Sequence, residues 1–394
     1  MAVNAVAASP VPDSPFGSVS ARRVLLMVAG ATITIASIVL LAPAIAGLPD
    51  ALDRLAHGDA SWLALALVLE ALSFLGHAIL FRAVGLDERG RIDLRASIEI
   101  TLAGHAATRL LASAGAGGIV LTAWAMRRSG MDRPTVAARM TTFMVLLYGV
   151  YMAALVIGGA GLALGVLPGG GSFAITVVPA IFGGVVIALA LAAQYIRGGE
   201  SRVRRALAPV GSGVRNALRL VRTGNAGLLG ALMWWAFDIA VLWAAFEAFG
   251  ASPAVAVLVV AYFVGTLANT LPLPGGIGGV EGGMIGAFAA FGVEPALAVV
   301  AVLAYRGFAF WLPIVPGVIA FLTLRRTVSK WEAEDAIEAA LDHSTAPIAL
   351  DPWKASAASS TTRISSDGSR RWPSRCRVPS RSPGLTTPSS SLST

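Results

Sequence analysis

Long runs of apolar residues restrict this chain to one kind of environment. Five runs of more than 20 residues cover 24–47, 62–85, 140–167, 173–196 and 226–249, and a sixth of more than 70 covers 253–324. A helix of about 20 apolar residues crosses the hydrocarbon core of a bilayer. Of the 394 residues, 56% are hydrophobic and 13% are charged, whereas a soluble domain has about 25% charged residues. The sequence therefore predicts an all-α, polytopic integral membrane protein.

The composition changes at three points along the chain. Residues 1–20 are polar, with Ser and Pro, and we expect a disordered N-terminus. Residues 21–326 contain the apolar runs and form the predicted transmembrane domain, residues 327–343 resemble a short charged cytoplasmic helix, and residues 344–394 form a tail rich in Ser, Pro and Arg. A cleaved signal peptide is the alternative for the first run, because Ala44-Ile45-Ala46 resembles a cleavage site, but the length of this run favours an uncleaved span.

The positions of the arginines predict an orientation, because basic loops face the cytoplasm. Arg22 and Arg23 place the N-terminus inside, and arginines in 89–95, 127–139, 197–222 and 325–326 place those segments inside as well. The acidic loop 48–60 and the uncharged loop 168–172 then face outwards, and both termini are cytoplasmic. Because 97–126 begins and ends on the same side, we expect it to form a re-entrant hairpin or a short helix pair. The total is about six full spans and two broken hairpins.

Segment 200–222 alternates arginines with apolar residues at helical spacing. One interpretation is an amphipathic helix on an anionic leaflet. The other is an ordinary basic loop, and the sequence leaves both open.

A weak internal repeat relates residues 104–118 to 265–279 at a shift of 161. In the second copy, Pro272 and Pro274 lack backbone N–H groups and the adjacent glycines allow positive φ, so no helix continues through them. Backbone groups freed in this way are satisfied by protein or water, never by lipid. Two broken hairpins of opposite orientation are typical of inverted-repeat transporters with a midplane site. The alternative is a simple turn between two short spans.

Ionisable residues inside the apolar runs are the candidate site residues, because charge is costly in the membrane. They are Glu70, His77, Glu99, His105, Arg109, Asp238, Glu281 and Arg306. Arg306 lies deep in its run and needs a carboxylate or a phosphate, which a guanidinium can bind bidentately. Fixed ion pairs of Glu281 with Arg306 and of Asp238 with Arg109 would be purely structural. Glu70 and His77, seven residues apart on one helical face, are candidates for proton coupling.

Enzymatic chemistry has little support in this sequence. Cys376 is the single cysteine, the four histidines are scattered, and no nucleotide-binding loop or nucleophile–base motif is present. We therefore expect no catalytic residues, no metal and no cofactor. The net charge of +8 does not indicate nucleic acid, because residues 344–394 hold seven basic and two acidic side chains and supply most of it.

The motif around the second hairpin resembles one protein family. The segment from Asn269 to Gly283, the following Phe-Gly-Val and Arg306 resemble the lysylphosphatidylglycerol synthase transmembrane-region family over roughly residues 20–328. The matching positions are Pro274, Gly275, Gly276, Gly278, Glu281, Gly292, Val293 and Arg306, with a similar glycine motif at Gly115, Gly117 and Gly118. The bifunctional members carry a soluble aminoacyltransferase domain after the membrane part. Here only a short helix and a tail follow, so we expect no lysyl transfer.

The resemblance implies a flippase-like protein of the bacterial plasma (inner) membrane that binds and translocates an anionic phospholipid or lipid-linked intermediate. Arg306 and Arg109 would contact the phosphate, and Glu281 and Asp238 would hold these arginines in the empty state. The remaining predicted site residues are Asn269, Pro272, Pro274, Gly275, Gly276, Gly278, Gly115, Gly117 and Gly118. The alternative is a non-transporting scaffold that recruits a membrane-associated enzyme of lipid or glycan synthesis. A homo-oligomer is compatible with either function.

Overall fold

The computed structural model describes residues 57–85, 89–110, 116–197, 202–270 and 278–345. Within these ranges the chain forms helices and no strands, which confirms the all-α prediction. The helices are α1 (Ala60–Gly85), α2 (Leu94–Leu110), α3 (Ala116–Arg128), α4 (Arg133–Ala163), α5 (Phe173–Ala193), α6 (Arg202–Arg222), α7 (Leu229–Phe249), α8 (Val255–Thr266), α9 (Gly279–Ala290), α10 (Pro295–Arg306) and α11 (Ile314–Thr345). Short 3-10 turns at Ala226–Leu228 and Leu267–Thr270 and a π turn at Gly307–Trp311 adjoin them.

Five helical stretches of the described residues are long and apolar enough to cross a membrane. They are Ala60–Gly85, Arg133–Ala163, Phe173–Ala193, Ala226–Phe249 and Pro295–Leu341. The predicted run 24–47 lies outside the described residues. The long run 253–324 is divided among α8, α9, α10 and the start of α11, because prolines and glycines interrupt it.

Helices α1 and α7 form an antiparallel pair that packs along its whole length. At one end the Asp59 backbone N–H donates to the Ala248 carbonyl at 3.0 Å, and near the middle the Ser73 hydroxyl donates to the Trp234 carbonyl at 2.9 Å. At Gly76 the two backbones approach so closely that an added Cβ would lie 2.9 Å from the Gly230 carbonyl oxygen. Small residues at such crossings allow membrane helices to pack tightly.

Asp59 also caps the start of α1. Its carboxylate accepts the hydroxyl of Ser61 at 2.6 Å and the Ser61 backbone N–H at 2.8 Å. These hydrogen bonds lower the pKa of Asp59 below its ordinary value, and they satisfy a backbone donor that the first turn of a helix leaves without a partner.

Two further antiparallel helix pairs occupy the positions of the predicted hairpins. Between α2 and α3, the Gly118 backbone N–H donates to the Thr108 hydroxyl at 3.0 Å, and Gly118 lies against Gly104. Between α8 and α9, a Cβ on Gly283 would lie 3.1 Å from the Gly265 Cα. The connecting residues 111–115 and 271–277 lie outside the described residues, so the predicted breaks at Pro272 and Pro274 are not described.

Helix α11 is longer than the sequence suggested. It runs without interruption from Ile314 to Thr345, so the predicted separate helix over 327–343 is its C-terminal half. A compact unit of the chain ends at Glu338. Within that unit, acidic residues of α11 pair with arginines at the ends of other helices. The pairs are Asp335 with Arg89 and Arg91, and Glu332 with Arg128.

Segment 200–222 contains a helix, α6, as the amphipathic interpretation expects, and its position on a lipid surface stays a prediction. Part of the apolar face packs on α4, where the Thr142 hydroxyl donates to the Gly213 carbonyl at 3.0 Å and Val214 is buried. Other apolar side chains, such as Val203 and Val221, are exposed. Its arginines also cap α5, because the Arg215 guanidinium donates to the Gln194 carbonyl at 2.7 Å.

Candidate functional site

The Arg306–Glu281 ion pair lies between the second helix pair and α10. The Arg306 Nε donates to Glu281 Oε1 at 2.6 Å, and both side chains are largely buried. The other carboxylate oxygen accepts the Gly278 backbone N–H at 2.8 Å and caps α9. Gly278 has a φ of +81°, which favours glycine at this turn. One carboxylate therefore both starts a helix and neutralises a guanidinium.

Arg109 comes from the last turn of α2 and reaches the π turn. Its Nη2 donates to the Ala309 carbonyl at 2.6 Å. That carbonyl is available because the residue four positions later is Pro313, which has no N–H to donate to it. The Nη1 of Arg109 is buried and has no hydrogen-bond acceptor among the described residues. The structure thus holds a guanidinium with one buried donor still unused.

Phe310 brings the two arginines together. The Cζ of Arg306 lies 4.2 Å from the centroid of its ring, and the Cζ of Arg109 lies 5.4 Å from it. Arg109 also lies 5.8 Å from the centroid of Phe74 on α1. Aromatic faces attract cations, and more strongly where water is excluded. The two positive groups are therefore held side by side in an apolar setting.

Asp238 on α7 accepts hydrogen bonds from two buried tyrosines. The Tyr305 hydroxyl donates to its Oδ2 at 3.0 Å, and the Tyr262 hydroxyl donates to the same oxygen. The carboxyl of Glu70 on α1 interacts with the Asp238 carboxyl, and Arg109 interacts electrostatically with both. Asp238 and Arg109, predicted as a fixed ion pair, thus belong to a larger cluster that draws on five helices, in which the described hydrogen bond of Arg109 goes to the Ala309 carbonyl.

Glu70 also lines an open cavity of about 300 Å³ with apolar walls. Its side chain is 4% exposed, and its Oε2 has no hydrogen-bond donor among the described residues. Around it the cavity is lined by side chains of α1, α2 and the start of α11. These include Leu67, Phe74, Thr101, Leu312 and Pro313. A carboxyl group at the wall of an apolar cavity is unusual enough to suggest a role in binding or coupling.

His77 lies in a packed aromatic cluster. Its Nδ1 lies 3.3 Å from the Thr101 hydroxyl, and its ring packs on His105 and Trp234 with centroids 4.8 Å and 4.7 Å away. Edge-on contacts of this kind are typical of packed aromatic clusters. The carboxyl that interacts with Glu70 is Asp238, and the coupling of Glu70 with His77 stays a prediction.

The other predicted residues fall into two groups. Gly117 and Gly118 lie in the first turn of α3, where Gly117 is buried, and Gly278 caps α9. The backbone of Asn269 lies in a 3-10 turn, and its side chain is outside the described residues, as are the whole residues Gly115, Pro272, Pro274, Gly275 and Gly276.

Glu99 has two partners. Its carboxylate accepts hydrogen bonds from the Arg95 Nε at 3.1 Å and from the Thr327 hydroxyl at 2.8 Å.

Three cluster residues were missed by the sequence reasoning, namely Tyr262, Tyr305 and Phe310. The sequence does contain a sign of the two tyrosines: Tyr305 is next to Arg306, and Tyr262 lies within an apolar run. A buried tyrosine hydroxyl needs a hydrogen-bond partner, so each of these tyrosines pointed to an acceptor elsewhere in the membrane domain.

The model of one protein family, the lysylphosphatidylglycerol synthase transmembrane region, matches residues 24–317. The chain belongs to this family. The matched region begins at the first predicted span and ends in the first turn of α11, so it contains both helix pairs and the whole arginine–carboxylate cluster. Membership makes this a membrane protein related to lipid metabolism. No curated protein matches the chain.

Proposed function

We propose that this protein binds the phosphate of an anionic lipid at Arg109 and Arg306 and carries the lipid between the two leaflets of the membrane. The observation that carries the proposal is the buried Arg109 guanidinium beside Arg306, with an Nη1 that has no acceptor among the described residues. A phosphate oxygen is the acceptor that this geometry suits, because guanidinium groups bind phosphate bidentately.

The energetic problem in moving a lipid is its headgroup. One charge at the centre of a bilayer costs about 3 kcal/mol or more. A site that offers fixed donors at membrane depth lowers this cost, because it replaces the water that the headgroup loses. Glu281 holds Arg306 in place through its Nε, and this pair can stay formed while the guanidinium also contacts a phosphate.

The open cavity beside Glu70 supports lipid as the class of ligand. Its walls are almost wholly apolar, and Phe74, which contacts Arg109, is one of its lining residues. An acyl chain in this cavity would leave the headgroup near the two arginines. A small soluble anion has no apolar part that could fill such a cavity.

We propose an inverted repeat in the order of the helices, which would support transport over simple binding. The helix pairs begin at residues 94 and 255, at 116 and 279, and at 133 and 295, which are separations of 161, 163 and 162 residues. Gly104 and Gly265, which are 161 residues apart, are both at the close crossing of their helix pair. We infer two related halves, joined through the antiparallel α1–α7 contact. Inverted halves of this kind are typical of proteins whose central site opens to each side in turn.

The test is lipid exchange in liposomes that contain the purified full chain. Fluorescent phosphatidylglycerol is followed by its quenching from outside, and we expect the wild type to expose lipid of the inner leaflet. The variants Arg109→Gln and Arg306→Gln should each slow exchange by about tenfold or more, the value of one lost charge-assisted hydrogen bond. The exposed arginine of α1 gives the matched control, Arg82→Gln, which should exchange lipid at the wild-type rate.

Each variant is first compared with the wild type by gel filtration and thermal melting, so that loss of folding is separated from loss of transport. Wild-type vesicles that exchange lipid no faster than empty ones would overturn the proposal. Arginine variants that exchange lipid at the wild-type rate would overturn the assigned site. The first of these results would favour a scaffold that recruits an enzyme of lipid synthesis.

A further inference from the structure

Glu70 and Asp238 face each other across the α1–α7 contact. The hydrogen bonds from Asp59 to Ala248 and from Ser73 to Trp234 define the antiparallel register, and this register places position 70 opposite position 238. The two side chains are 4% and 6% exposed, and their carboxyl groups interact with each other. These carboxyl groups belong to positions 168 residues apart in the chain.

The charges around this carboxyl pair do not balance if both groups are ionised. Within the described residues, the facing titratable groups come from α2, α8, α9 and α10 and are Arg109, Tyr262, Glu281, Tyr305 and Arg306. Glu281 neutralises Arg306 at 2.6 Å, which leaves one guanidinium, Arg109, against two carboxyls. Two adjacent carboxylates do not both ionise readily, and an uncompensated buried charge is strongly destabilising.

One proton resolves both the charge and the hydrogen bonding. With both groups ionised, no described donor reaches the Oε2 of Glu70. A proton on one of the two carboxyls provides an O–H group, which donates a hydrogen bond to the other carboxylate. Because two tyrosine hydroxyls donate to Asp238, its ionised form is the better satisfied, and Glu70 is the group that carries the proton.

We propose that Glu70 and Asp238 share a single proton in the lipid-free protein and take up a second one when a phosphate binds Arg109. This inference rests on the proposed function for its second half only. A bound phosphate uses the positive charge of Arg109, so the remaining carboxylate loses its counter-charge and is protonated. Binding of anionic lipid and of protons then reinforce each other by the same factor. A proton gradient would bias the direction of lipid movement.

The shared proton is tested on the lipid-free protein by infrared spectroscopy. At neutral pH we expect the carbonyl stretching band of a protonated carboxyl, and its loss in Glu70→Gln and in Asp238→Asn, where the remaining carboxylate pairs with Arg109. The matched control is Glu99→Gln, since Glu99 is equally buried but already paired with Arg95, and this variant should keep the band. A wild type without the band, or a band that survives in Glu70→Gln, would overturn the shared proton.

The second half is tested by adding short-chain phosphatidylglycerol to the wild type in weakly buffered detergent. We expect uptake of about one proton per bound lipid and an affinity that falls about tenfold for each unit of rising pH. Each single variant should still take up a proton on its remaining carboxylate. The double variant Glu70→Gln/Asp238→Asn should bind the lipid with no proton uptake and no pH dependence.

These measurements separate the two proposals. Lipid binding by the wild type without proton uptake would overturn the coupling and leave the proposed function standing. Absence of lipid binding at any pH, with the infrared band present, would overturn the proposed function and leave the shared proton standing. The wild-type measurements need no variant, so a variant that fails to fold does not decide the outcome.

Discussion

At the scale of single residues, the cluster depends on each charge having a partner from another helix. Arg306 cannot reach water from the end of α10, and Glu281 compensates it while also capping α9. Arg109 uses the Ala309 carbonyl, which Pro313 leaves without its usual donor. Pro313, which lies between the π turn and α11, thus leaves a backbone acceptor for the cluster.

The Glu281–Arg306 pair leads to a prediction about stability. Glu281→Gln and Arg306→Gln should each lower the free energy of unfolding by about 3 kcal/mol, because each leaves a buried charge without compensation. The double variant should lose less than the sum of the single losses, by about 0.5–3 kcal/mol of coupling. Detergent-induced unfolding measures all four proteins of the cycle. Strictly additive losses would mean that the two side chains do not interact.

At the scale of helices, the site is positioned by close backbone crossings. The α1–α7 crossing at Gly76 sets the register that brings Glu70 to Asp238, and the crossings at Gly104 and Gly265 hold the two helix pairs together. Since lipid tails are as apolar as the helices, such packing has to be tight to be favourable. Small residues at the crossings therefore matter more than the apolar character of the faces.

A matched pair of glycine substitutions tests the importance of the α1–α7 crossing. A Cβ on Gly76 would lie 2.6 Å from the Cβ of Met233 and 2.8 Å from the backbone nitrogen of Trp234, whereas a Cβ on Gly149 meets nothing within 4 Å. We expect Gly76→Ala to lower the melting temperature by several degrees, because overpacking costs about 1–3 kcal/mol. Gly149→Ala should leave it unchanged or raise it, since alanine is the better helix former. Equal melting temperatures would show that the α1–α7 crossing accommodates a methyl group at position 76 without cost.

At the scale of the whole molecule, acidic residues in the C-terminal half of α11 form ion pairs with arginines near the ends of other helices. Arg91 has a side chain only 8% exposed and donates to Asp335 at 2.6 Å, and Arg89 donates to the same carboxylate at 2.5 Å. Arg128 pairs with Glu332 one turn earlier. Acidic residues of the predicted charged helix over 327–343 are therefore partners of arginines in the basic segments that predict the orientation.

Asp335→Asn should loosen this end of α11. We expect a loss of about 1 kcal/mol, because Asp335 is partly exposed and screened by water, and faster hydrogen exchange over the helix from Trp331 onwards. Added salt should weaken the wild type more than the variant. Glu338→Gln is the control, because Glu338 is exposed and its carboxylate comes no closer than 3.9 Å to the Arg89 guanidinium. Identical exchange in Asp335→Asn and wild type would contradict the prediction.

The sequence by itself determined the fold class, the family and most of the charged residues of the site. In an apolar run longer than 20 residues, a membrane helix is the structure that satisfies the backbone hydrogen bonds. An arginine inside such a run, Arg306, requires a counter-charge. Only the tertiary structure decided that Glu70 meets Asp238. Contacts between distant segments depend on the register of α1 against α7, and no local spacing in the sequence contains that register.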